Sequence, residues 1–390
     1  KGALKRAGNC LGYDPQVING ITKGIPKYSD DDYSGEEHER YLIDSCDCDS
    51  ELKELAKSFV GVIISYGIHA SAAIVFPCNP SYLTAIEKSK DNYVTAYDFH
   101  DIEAMGVLKI DCLGLKTTDV IKDTIELIGE DIDIINIPQD DTKTFDMLAK
   151  GNTLGVFQIE NQGFTQLIKR VKPRCLKEFA PLMAVYRPGI IAAGLLETYI
   201  RRVTGEEPIE YLHPDLEPIT SSTAGLIVFQ EQIIEIAKKF CGYSAGEADM
   251  VRRAVAKKKP EEMAKIKPDF ISKSIANGYT KEVATKLFEL IEYFSAYGFG
   301  KGHSFGYGQL SYATAYLKAN YPKEFMVSLI NSEKEQEDIV PYITECKSLG
   351  IPILHPDLSI GNLDWQIEDN SIRMGLGYIK GIGKNLTMKP

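Results

Sequence analysis

The sequence predicts an α+β protein that is mostly α-helical, with one small β-sheet followed by a large helical part. Two observations favour this class. Short runs of β-branched and apolar residues are separated by turn residues between positions 60 and 115, whereas apolar residues recur at helical spacing from position 118 onward. The 390 residues exceed what one compact core usually holds, so we expect two or three structural units.

The composition is that of an ordinary soluble globular protein, because 44% of the residues are hydrophobic and 25% are charged. This excludes a disordered, collagenous or coiled-coil chain. The net charge of −11 gives no whole-protein basic field, so any binding to nucleic acid would depend on local basic patches. The eight cysteines are scattered without a C-x-x-C pair, which indicates reduced thiols in a cytoplasmic protein rather than disulfides or a zinc site.

The longest apolar stretch covers residues 59–76 and is interrupted by Tyr66, Gly67, His69 and Ser71. We therefore expect two short buried strands around a glycine turn, and no membrane association. No signal peptide leads the chain, and its first residue is Lys1 rather than methionine. From this we expect a fragment, a processed chain or one segment of something longer.

Residues 1–58 are charged and have a helical pattern, with an acidic run that begins at Asp30. The favoured interpretation of that run is a solvated loop or helix face. Asp47 and Asp49 are spaced as a D-x-D pair, but no strand presents both carboxylates to one side. We do not expect a metal site there.

The elements after residue 58 follow from apolar spacing and turn residues. Strands are predicted at residues 60–64, 72–76 and 106–113, together forming a small sheet that spans roughly 60–115. Gly129 is expected to end the first helix of the following part. The predicted helices cover residues 118–128, 141–148, 161–171, 229–241, 245–259, 280–295 and 308–331.

The sharpest local feature is Lys109 followed two residues later by Asp111. On a strand, residues two apart point to the same face, so the cation and the carboxylate would project together while Ile110 and Cys112 pack behind them. One interpretation is a surface ion pair. The other is a carboxylate that binds a divalent metal beside a lysine that binds phosphate.

A basic helix forms the second feature. Ser244 and Glu247 are spaced as a capping box, and Pro260 ends the helix. Helical geometry predicts one broad face that carries Arg252, Arg253, Lys257 and Lys259. A charge cluster is usually a solvated face, but adjacent arginines can hold phosphate in a bidentate manner, which favours a polyanion site.

Residues 293–308 form the third feature, in which glycines alternate with aromatic residues around Lys301 and His303. Such a segment permits close approach of the backbone to a ligand and stacking on rings. It is neither a Walker loop nor a G-x-G-x-x-G motif, so the alternative is a glycine-rich loop with packed aromatics. No pair of histidines has metal-ligand spacing.

Six motifs in this order resemble the bacterial C-family replicative DNA polymerases, that is, the polymerase III alpha subunit and its PolC relatives, over nearly the whole chain. The family patterns are KFDFLGLRT, GVFQLES, LYRPG, RRAMGKKKPEEM, YGFNKSH and GLGAIKGVG. The matching segments here are Lys109-Ile-Asp-Cys-Leu-Gly-Leu-Lys-Thr, Gly155-Val-Phe-Gln-Ile-Glu, Tyr186-Arg-Pro-Gly, Arg252-Arg-Ala-Val-Ala-Lys-Lys-Lys-Pro-Glu-Glu-Met, Tyr297-Gly-Phe-Gly-Lys-Gly-His and Gly375-Leu-Gly-Tyr-Ile-Lys-Gly-Ile-Gly. Phe229-Gln-Glu-Gln-Ile leads into the fourth of them.

The resemblance implies a DNA-directed DNA polymerase of the two-metal type. Residues 1–66 would be the thumb, residues 67–117 the end of a polymerase-beta-like palm, and residues 118–390 the fingers, ending at the start of a helix-hairpin-helix region. Asp111 would be one of three palm aspartates that bind two magnesium ions. The nucleotide site would hold Lys109 and His69 from the palm, Arg252, Arg253, Lys257 and Lys259 around the triphosphate, and His303 with Tyr297 near the sugar and base.

The departures from the family pattern concern the rest of the active site. The other two palm aspartates lie in a P-D-x-D-x-D-F segment, which does not occur in this chain. Gly300 and Gly302 replace Asn and Ser, and Cys112 replaces an aromatic residue, which favours a divergent, phage-encoded member. We expect the active site to be completed by a missing N-terminal palm segment or a separate polypeptide that carries it.

The partners implied by the resemblance are primer-template DNA, deoxynucleoside triphosphate and a sliding clamp. The alternative function is a polymerase-derived DNA-binding or assembly subunit that has lost catalysis. A third interpretation is a helical nucleotide-binding protein unrelated to polymerases, which would bind triphosphate through Arg252 and be indifferent to DNA.

Overall fold

The computed structural model divides the chain into two compact units, Lys1–Gly114 and Leu115–Pro390. It describes residues 1–23, 25, 36–62, 67–69, 71–89, 92–112, 114–256, 260–295, 298–333, 335–360 and 362–379. Within these ranges, every helix is too short or too polar to cross a lipid bilayer. The secondary structure is mostly helical with small sheets, as the sequence predicts.

The first unit begins with helices that pack around their own small core. These are α1 (Gly2–Cys10), α2 (Pro15–Lys23), α3 (Glu36–Asp44) and α4 (Ser50–Ser58). Leu4, Ile18 and Leu52 are almost fully buried at the centre of this group. The carboxylate of Asp49 accepts a hydrogen bond from the backbone N–H of Leu52 and so caps α4. The prediction of a helical N-terminal segment is confirmed for the described residues.

In its described residues, the first unit contains two separate pairs of strands rather than one sheet. Strands β1 (Ala72–Val75) and β4 (Leu108–Asp111) are antiparallel, and so are β2 (Ile86–Ser89) and β3 (Asn92–Thr95). Helix α5 (Phe99–Ala104) precedes β4. The predicted strands at residues 72–76 and 106–113 are thereby confirmed.

The predicted strand at residues 60–64 is wrong in its described part. Val60 and Gly61 lie in the turn that follows α4, and the backbone N–H of Val60 donates to the carbonyl of Lys57. Gly61 has a left-handed φ of 80°, which suits a helix end and not a strand. Residues 63 and 64 lie outside the described residues.

The described part of the second unit is a helical assembly with one small sheet. The sheet contains β5 (Ile353–Leu354), β6 (Gln366–Glu368) and β7 (Ser371–Arg373) in the order β5-β7-β6. The helices are α6 (Lys116–Ile128), α7 (Thr142–Lys150), α8 (Gln162–Val171), α9 (Leu176–Val185), α10 (Pro188–Ala192), α11 (Leu195–Val203), α12 (Glu217–Thr220), α13 (Gln230–Cys241), α14 (Ala245–Ala256), α15 (Pro260–Ala276), α16 (Lys281–Ser295), α17 (Lys301–Asn320), α18 (Pro322–Ser332) and α19 (Gln336–Ser348).

Most predicted helices of this unit are confirmed within a few residues, including the end of α6 at the left-handed Gly129. The helix predicted at residues 308–331 is wrong in its bounds, because two helices cover this region. Helix α17 begins seven residues earlier, at Lys301, and Pro322 is the first residue of α18. Proline has no backbone N–H to continue α17 but fits the first turn of a new helix.

Helix α17 runs through the core of the second unit. The side chain of Lys318 is fully buried, and its Nζ contacts the carboxylate of Glu345 at 2.6 Å. The same ammonium donates to the carbonyls of Asn152 and Leu154, at 3.1 and 2.7 Å. Because these bonds link α17 to α19 and to the loop after α7, they fix the position of α17, whose first turn carries His303.

Candidate functional site

The two predicted arginines of the second unit are held by one carboxylate on their own helix. Asp249 Oδ1 accepts from Arg252 Nε and Asp249 Oδ2 accepts from Arg253 Nε, both at 2.7 Å. The Arg252 side chain is three-quarters buried, whereas Arg253 is largely exposed. The hydrogen bond from Arg252 is the main reason why the pKa of Asp249 lies below its usual range. Asp249 is therefore ionised at neutral pH, and its carboxylate holds the two guanidinium groups side by side.

A contact between distant segments places Arg252 beside the segment that leads to His303. Phe299 donates its backbone N–H to the carbonyl of Val228, and Gln230 donates its backbone N–H to the carbonyl of Phe299, at 3.0 and 2.9 Å. The side-chain oxygen of Gln230 then accepts a hydrogen bond from Arg252 Nη1 at 3.0 Å. A single glutamine thus connects the basic helix with the glycine- and aromatic-rich segment.

The aromatic ring of Phe299 lies between a cation and an imidazole. The Arg187 guanidinium carbon is 4.3 Å from the ring centroid, a cation–π distance. The His303 ring approaches Phe299 edge-on at 5.1 Å and lies against Tyr307 at 4.2 Å. Partial burial lowers the pKa of Arg187, although arginine remains charged at neutral pH. His303 itself is exposed, so its ring is accessible to a ligand.

The segment at residues 301–308 is not the glycine-rich loop that the sequence suggests as an alternative. It forms the first two turns of α17, and the carboxylate of Glu231 accepts the backbone N–H of Lys301 there. A carboxylate at this position satisfies a donor that the helix leaves unpaired and interacts favourably with the helix dipole. His303 is therefore presented from a helix rather than from a mobile turn.

The structure brings together only part of the predicted nucleotide site. Arg252, Arg253 and His303 lie in the second unit, around the Gln230 and Phe299 contacts just described. Lys257, Lys259 and Tyr297 lie outside the described residues.

In the first unit, strand β4 of the β1–β4 pair carries the candidate residues Lys109 and Asp111. Lys109 Nζ lies 3.3 Å from Asp111 Oδ1, so both side chains project from the same face as predicted. The ammonium also lies 4.7 Å from the centroid of the Phe99 ring. The expectation that Ile110 and Cys112 pack behind them is wrong, since both are exposed. On the opposite face of this strand pair, Val75, Leu108 and Ile110 are exposed.

His69 lies at the end of the strand pair that carries Asp111. Its Nδ1 accepts a hydrogen bond from the backbone N–H of Ser71, and the Ser71 carbonyl accepts from the backbone N–H of Cys112 at 2.6 Å. Ala72 is the register partner of Asp111. Lys109 and Asp111 thus lie on β4, and His69 lies three residues before the start of β1, the strand that pairs with β4.

Asp111 fits the role of one metal ligand but does not form a metal site by itself. Its side chain is about half exposed, and carboxylate oxygen is the ligand that magnesium prefers. Across the described ranges of the chain, no group of three or more His, Cys, Asp or Glu side chains is gathered closely enough to hold a metal ion. Further ligands would have to come from other residues or from a bound nucleotide.

An open groove of about 870 Å³ lies between α1 and α2 in the first unit. Lys1, Lys5 and Lys23 line it together with the side chains of Gln16 and Asn19. Three ammonium groups beside neutral hydrogen-bonding groups form a surface of the type that contacts phosphate. This is a local basic patch in a chain that is acidic overall.

The sequence motifs and the basic helix segment contain Arg187, Gln230, Glu231 and Asp249, but the sequence pattern indicates no role for these residues. The pairing of Asp249 with both arginines was predictable from the sequence, since residues three and four apart on a helix are neighbours. The contact between Gln230 and Arg252 also depends on the pairing of residues 228–230 with residue 299, which no local pattern shows.

Comparison with known proteins defines the class of this chain. Residues 117–278 match the model of the bacterial DNA polymerase III alpha subunit finger domain, and residues 1–114 match that of the bacterial DNA polymerase III alpha NTPase domain. The chain belongs to the family of bacterial DNA polymerase III alpha subunits.

Individual relatives agree with these matches. The DNA polymerase III subunit alpha of Aquifex aeolicus is 37% identical over 386 residues, which is 97% of this chain and 33% of the relative. The corresponding subunit of Escherichia coli K12 is 36% identical over 405 residues, or 98% of this chain and 35% of the relative. The chain thus spans about a third of the length of these curated relatives.

Proposed function

We propose that this chain takes part in DNA-templated DNA synthesis, the transfer of a nucleotide from a deoxynucleoside triphosphate to a primer 3′-hydroxyl. Residues 1–66 would serve as a thumb, residues 67–117 as the end of a palm and residues 118–390 as fingers. Membership of the polymerase III alpha family supports this proposal.

The paired arginines are the residues proposed to receive the triphosphate. Arg252 and Arg253 stand side by side on α14, and guanidinium groups match the oxygens of phosphate geometrically. Their positive charge would stabilise the negative charge that develops on the departing pyrophosphate. His303, with Tyr297, is proposed to contact the sugar and base, and Lys257 and Lys259 to extend the basic face.

Asp111 is proposed to supply one carboxylate to a two-magnesium centre, with Lys109 and His69 beside the nucleotide. Magnesium bound there would activate the primer hydroxyl and neutralise phosphate charge. The remaining palm carboxylates would come from residues outside this chain. The exposed apolar face of the strand pair, formed by Val75, Leu108 and Ile110, supports this, because two strands alone are marginally stable and such a face is usually covered.

The groove between α1 and α2 is the proposed contact for primer-template DNA. Contacts from Lys1, Lys5 and Lys23 to backbone phosphates would give affinity without sequence preference, as a template-directed enzyme requires.

The observation that carries the proposal is the joining of Arg252 to the His303 segment through Gln230. The test is equilibrium binding of dATP with magnesium to this chain. Arg252→Ala should raise the dissociation constant of dATP about tenfold or more, since it removes a charge-assisted hydrogen-bond donor. Arg170→Ala is the matched control, because Arg170 is an exposed arginine paired with Glu197 in the same unit. Equal dATP affinity for wild type and Arg252→Ala would overturn the proposal.

A second candidate function is a DNA-binding or assembly subunit that has lost catalysis. The ion pair between Asp111 and Lys109 favours it, because a carboxylate paired with an ammonium is less available to a metal. Primer extension by the polypeptide that carries this chain separates the two functions. Extension that Asp111→Asn abolishes supports the polymerase. DNA binding without any extension by the wild type supports the second candidate.

A further inference from the structure

We propose that Asp249, together with Gln230, is a positioning residue that holds Arg252 and Arg253 in the orientation needed to receive the triphosphate. This inference rests on the proposed nucleotide site and goes beyond it. It assigns a role to an acidic residue beside the proposed phosphate site, where its negative charge alone would weaken the binding of a triphosphate.

Asp249 contacts only the Nε edge of each guanidinium group. Asp249 takes the Nε–H of both arginines, one on each carboxylate oxygen, at 2.7 Å. The Nη nitrogens, which bind phosphate in a bidentate manner, are not engaged by Asp249. A single carboxylate therefore orders two long side chains through their Nε–H groups, and of their Nη nitrogens only Arg252 Nη1 contacts Gln230 among the described residues.

Gln230 fixes the orientation of Arg252 from a second direction. Its backbone N–H donates to the carbonyl of Phe299, and its side-chain nitrogen lies 3.4 Å from the carbonyl of Gly298. Its side-chain oxygen accepts from Arg252 Nη1. Arg252 is thus held by Asp249 on α14 and by Gln230 on α13. Gln230 is itself bonded to Phe299, in the segment that precedes His303.

The carboxylate has two opposing effects on an anion site. It reduces the net charge of the cluster from +2 to +1, which weakens attraction for a triphosphate. It also removes rotamer freedom from both arginines before the nucleotide binds, so less conformational entropy is lost on binding. The proposal requires that the second effect is the larger one, and the two effects predict changes of opposite sign.

The decisive variant is Asp249→Asn, which keeps the size of the side chain and removes its charge. Positioning predicts that the dissociation constants of dATP and of inorganic tripolyphosphate both rise about fivefold, in the presence of magnesium. Net charge predicts that both fall. Glu235→Gln is the matched charge control, since Glu235 is exposed on the neighbouring α13, and it should not raise either constant.

Two further variants separate positioning from a structural role. In an Arg252→Ala, Arg253→Ala background, Asp249→Asn should no longer weaken tripolyphosphate binding, whereas a structural defect would persist there. Gln230→Met keeps the backbone hydrogen bond to Phe299 but removes the acceptor for Arg252, and it should also weaken dATP binding. If Asp249→Asn does not fold, the result for Gln230→Met decides.

The outcomes for this inference and for the proposed site are distinct. The proposed site fails if Arg252→Ala binds dATP as tightly as wild type. The positioning role fails if Arg252→Ala weakens dATP binding while Asp249→Asn binds as tightly as wild type or more tightly.

Discussion

Gly308 lies directly against the backbone of Ala180, so that a Cβ atom on Gly308 would be 2.9 Å from Ala180 Cβ and 3.0 Å from Ala180 Cα. One helical turn earlier, Ser304 Oγ donates to the carbonyl of Ala180 at 2.8 Å. Helices α17 and α9 are therefore in close contact at this point, and the contact fixes the helix that presents His303. The absence of a side chain at residue 308 is what permits it.

Gly308→Ala should destabilise the second unit by about 1–3 kcal/mol, because the two helices must move apart to accept a methyl group. Gly306→Ala is the matched control. Gly306 lies in the same helix, is exposed and has no atoms near its missing Cβ, so alanine there should be neutral or stabilising by up to about 1 kcal/mol. Urea unfolding of both variants measures the difference. Equal free energies of unfolding would contradict the close packing of α17 and α9.

The buried ammonium of Lys318 provides the second prediction. Lys318→Met keeps the length of the side chain but leaves the Glu345 carboxylate and the carbonyls of Asn152 and Leu154 without their donor. We expect a loss of about 3–5 kcal/mol in the free energy of unfolding, as for other broken buried pairs. The exposed pair of Lys122 and Glu126 is the control, and Lys122→Met should cost about 0.5 kcal/mol or less. A Lys318→Met variant as stable as Lys122→Met would refute this role.

The third prediction concerns pH. Hydrogen bonds from Ser244, and then the bond from Lys273, lower the pKa of Glu247 from its ordinary 4.5 to about 2. Because the folded pKa lies below the unfolded one, the stabilisation is present above about pH 4.5 and disappears as the pH falls toward 2. Glu247→Gln should therefore be less stable than wild type at pH 7, with a difference that shrinks between pH 4.5 and 2.

Free energies of unfolding measured across this pH range test the assignment. Ser244→Ala removes the first-named cause of the shift, so its stability difference from wild type should shrink over the same range. A difference between wild type and Glu247→Gln that stays constant from pH 7 to pH 2 would show that the carboxylate has no depressed pKa.

The fold could be predicted from the sequence where local signals and tertiary packing agree. Gly129 ends α6, and Ser244 forms the predicted capping box with Glu247. The prediction failed where packing overrides propensity. Glycine disfavours helices, yet residues 301–307, which include Gly302 and Gly306, form the start of α17, where Ser304 bonds to the carbonyl of Ala180 on α9. Val60 suggested a strand because β-branched residues favour strands, but a left-handed glycine follows it immediately.

The candidate site could likewise be predicted only where its residues are neighbours on one helix or strand. The two-residue spacing of Lys109 and Asp111 correctly indicated that both project from one face of a strand. The link from Arg252 through Gln230 to Phe299 joins segments about 70 residues apart, and only the folded chain brings them together. Sequence spacing reports neighbours on one helix or strand, and contacts between elements need the tertiary structure.

The last prediction concerns the groove between α1 and α2. If Lys5 and Lys23 contact backbone phosphates, each replacement by alanine should reduce the slope of log K against log salt by about one. The measurement is binding of a primer-template duplex by this chain over a series of salt concentrations. Lys122→Ala is the control, because Lys122 is an exposed lysine outside the groove, and it should leave the slope unchanged. Unchanged slopes for both groove variants would exclude the groove as a phosphate contact. A reduced slope, with an equal loss of affinity for unrelated DNA sequences, would match the recognition of backbone phosphates by a template-directed enzyme.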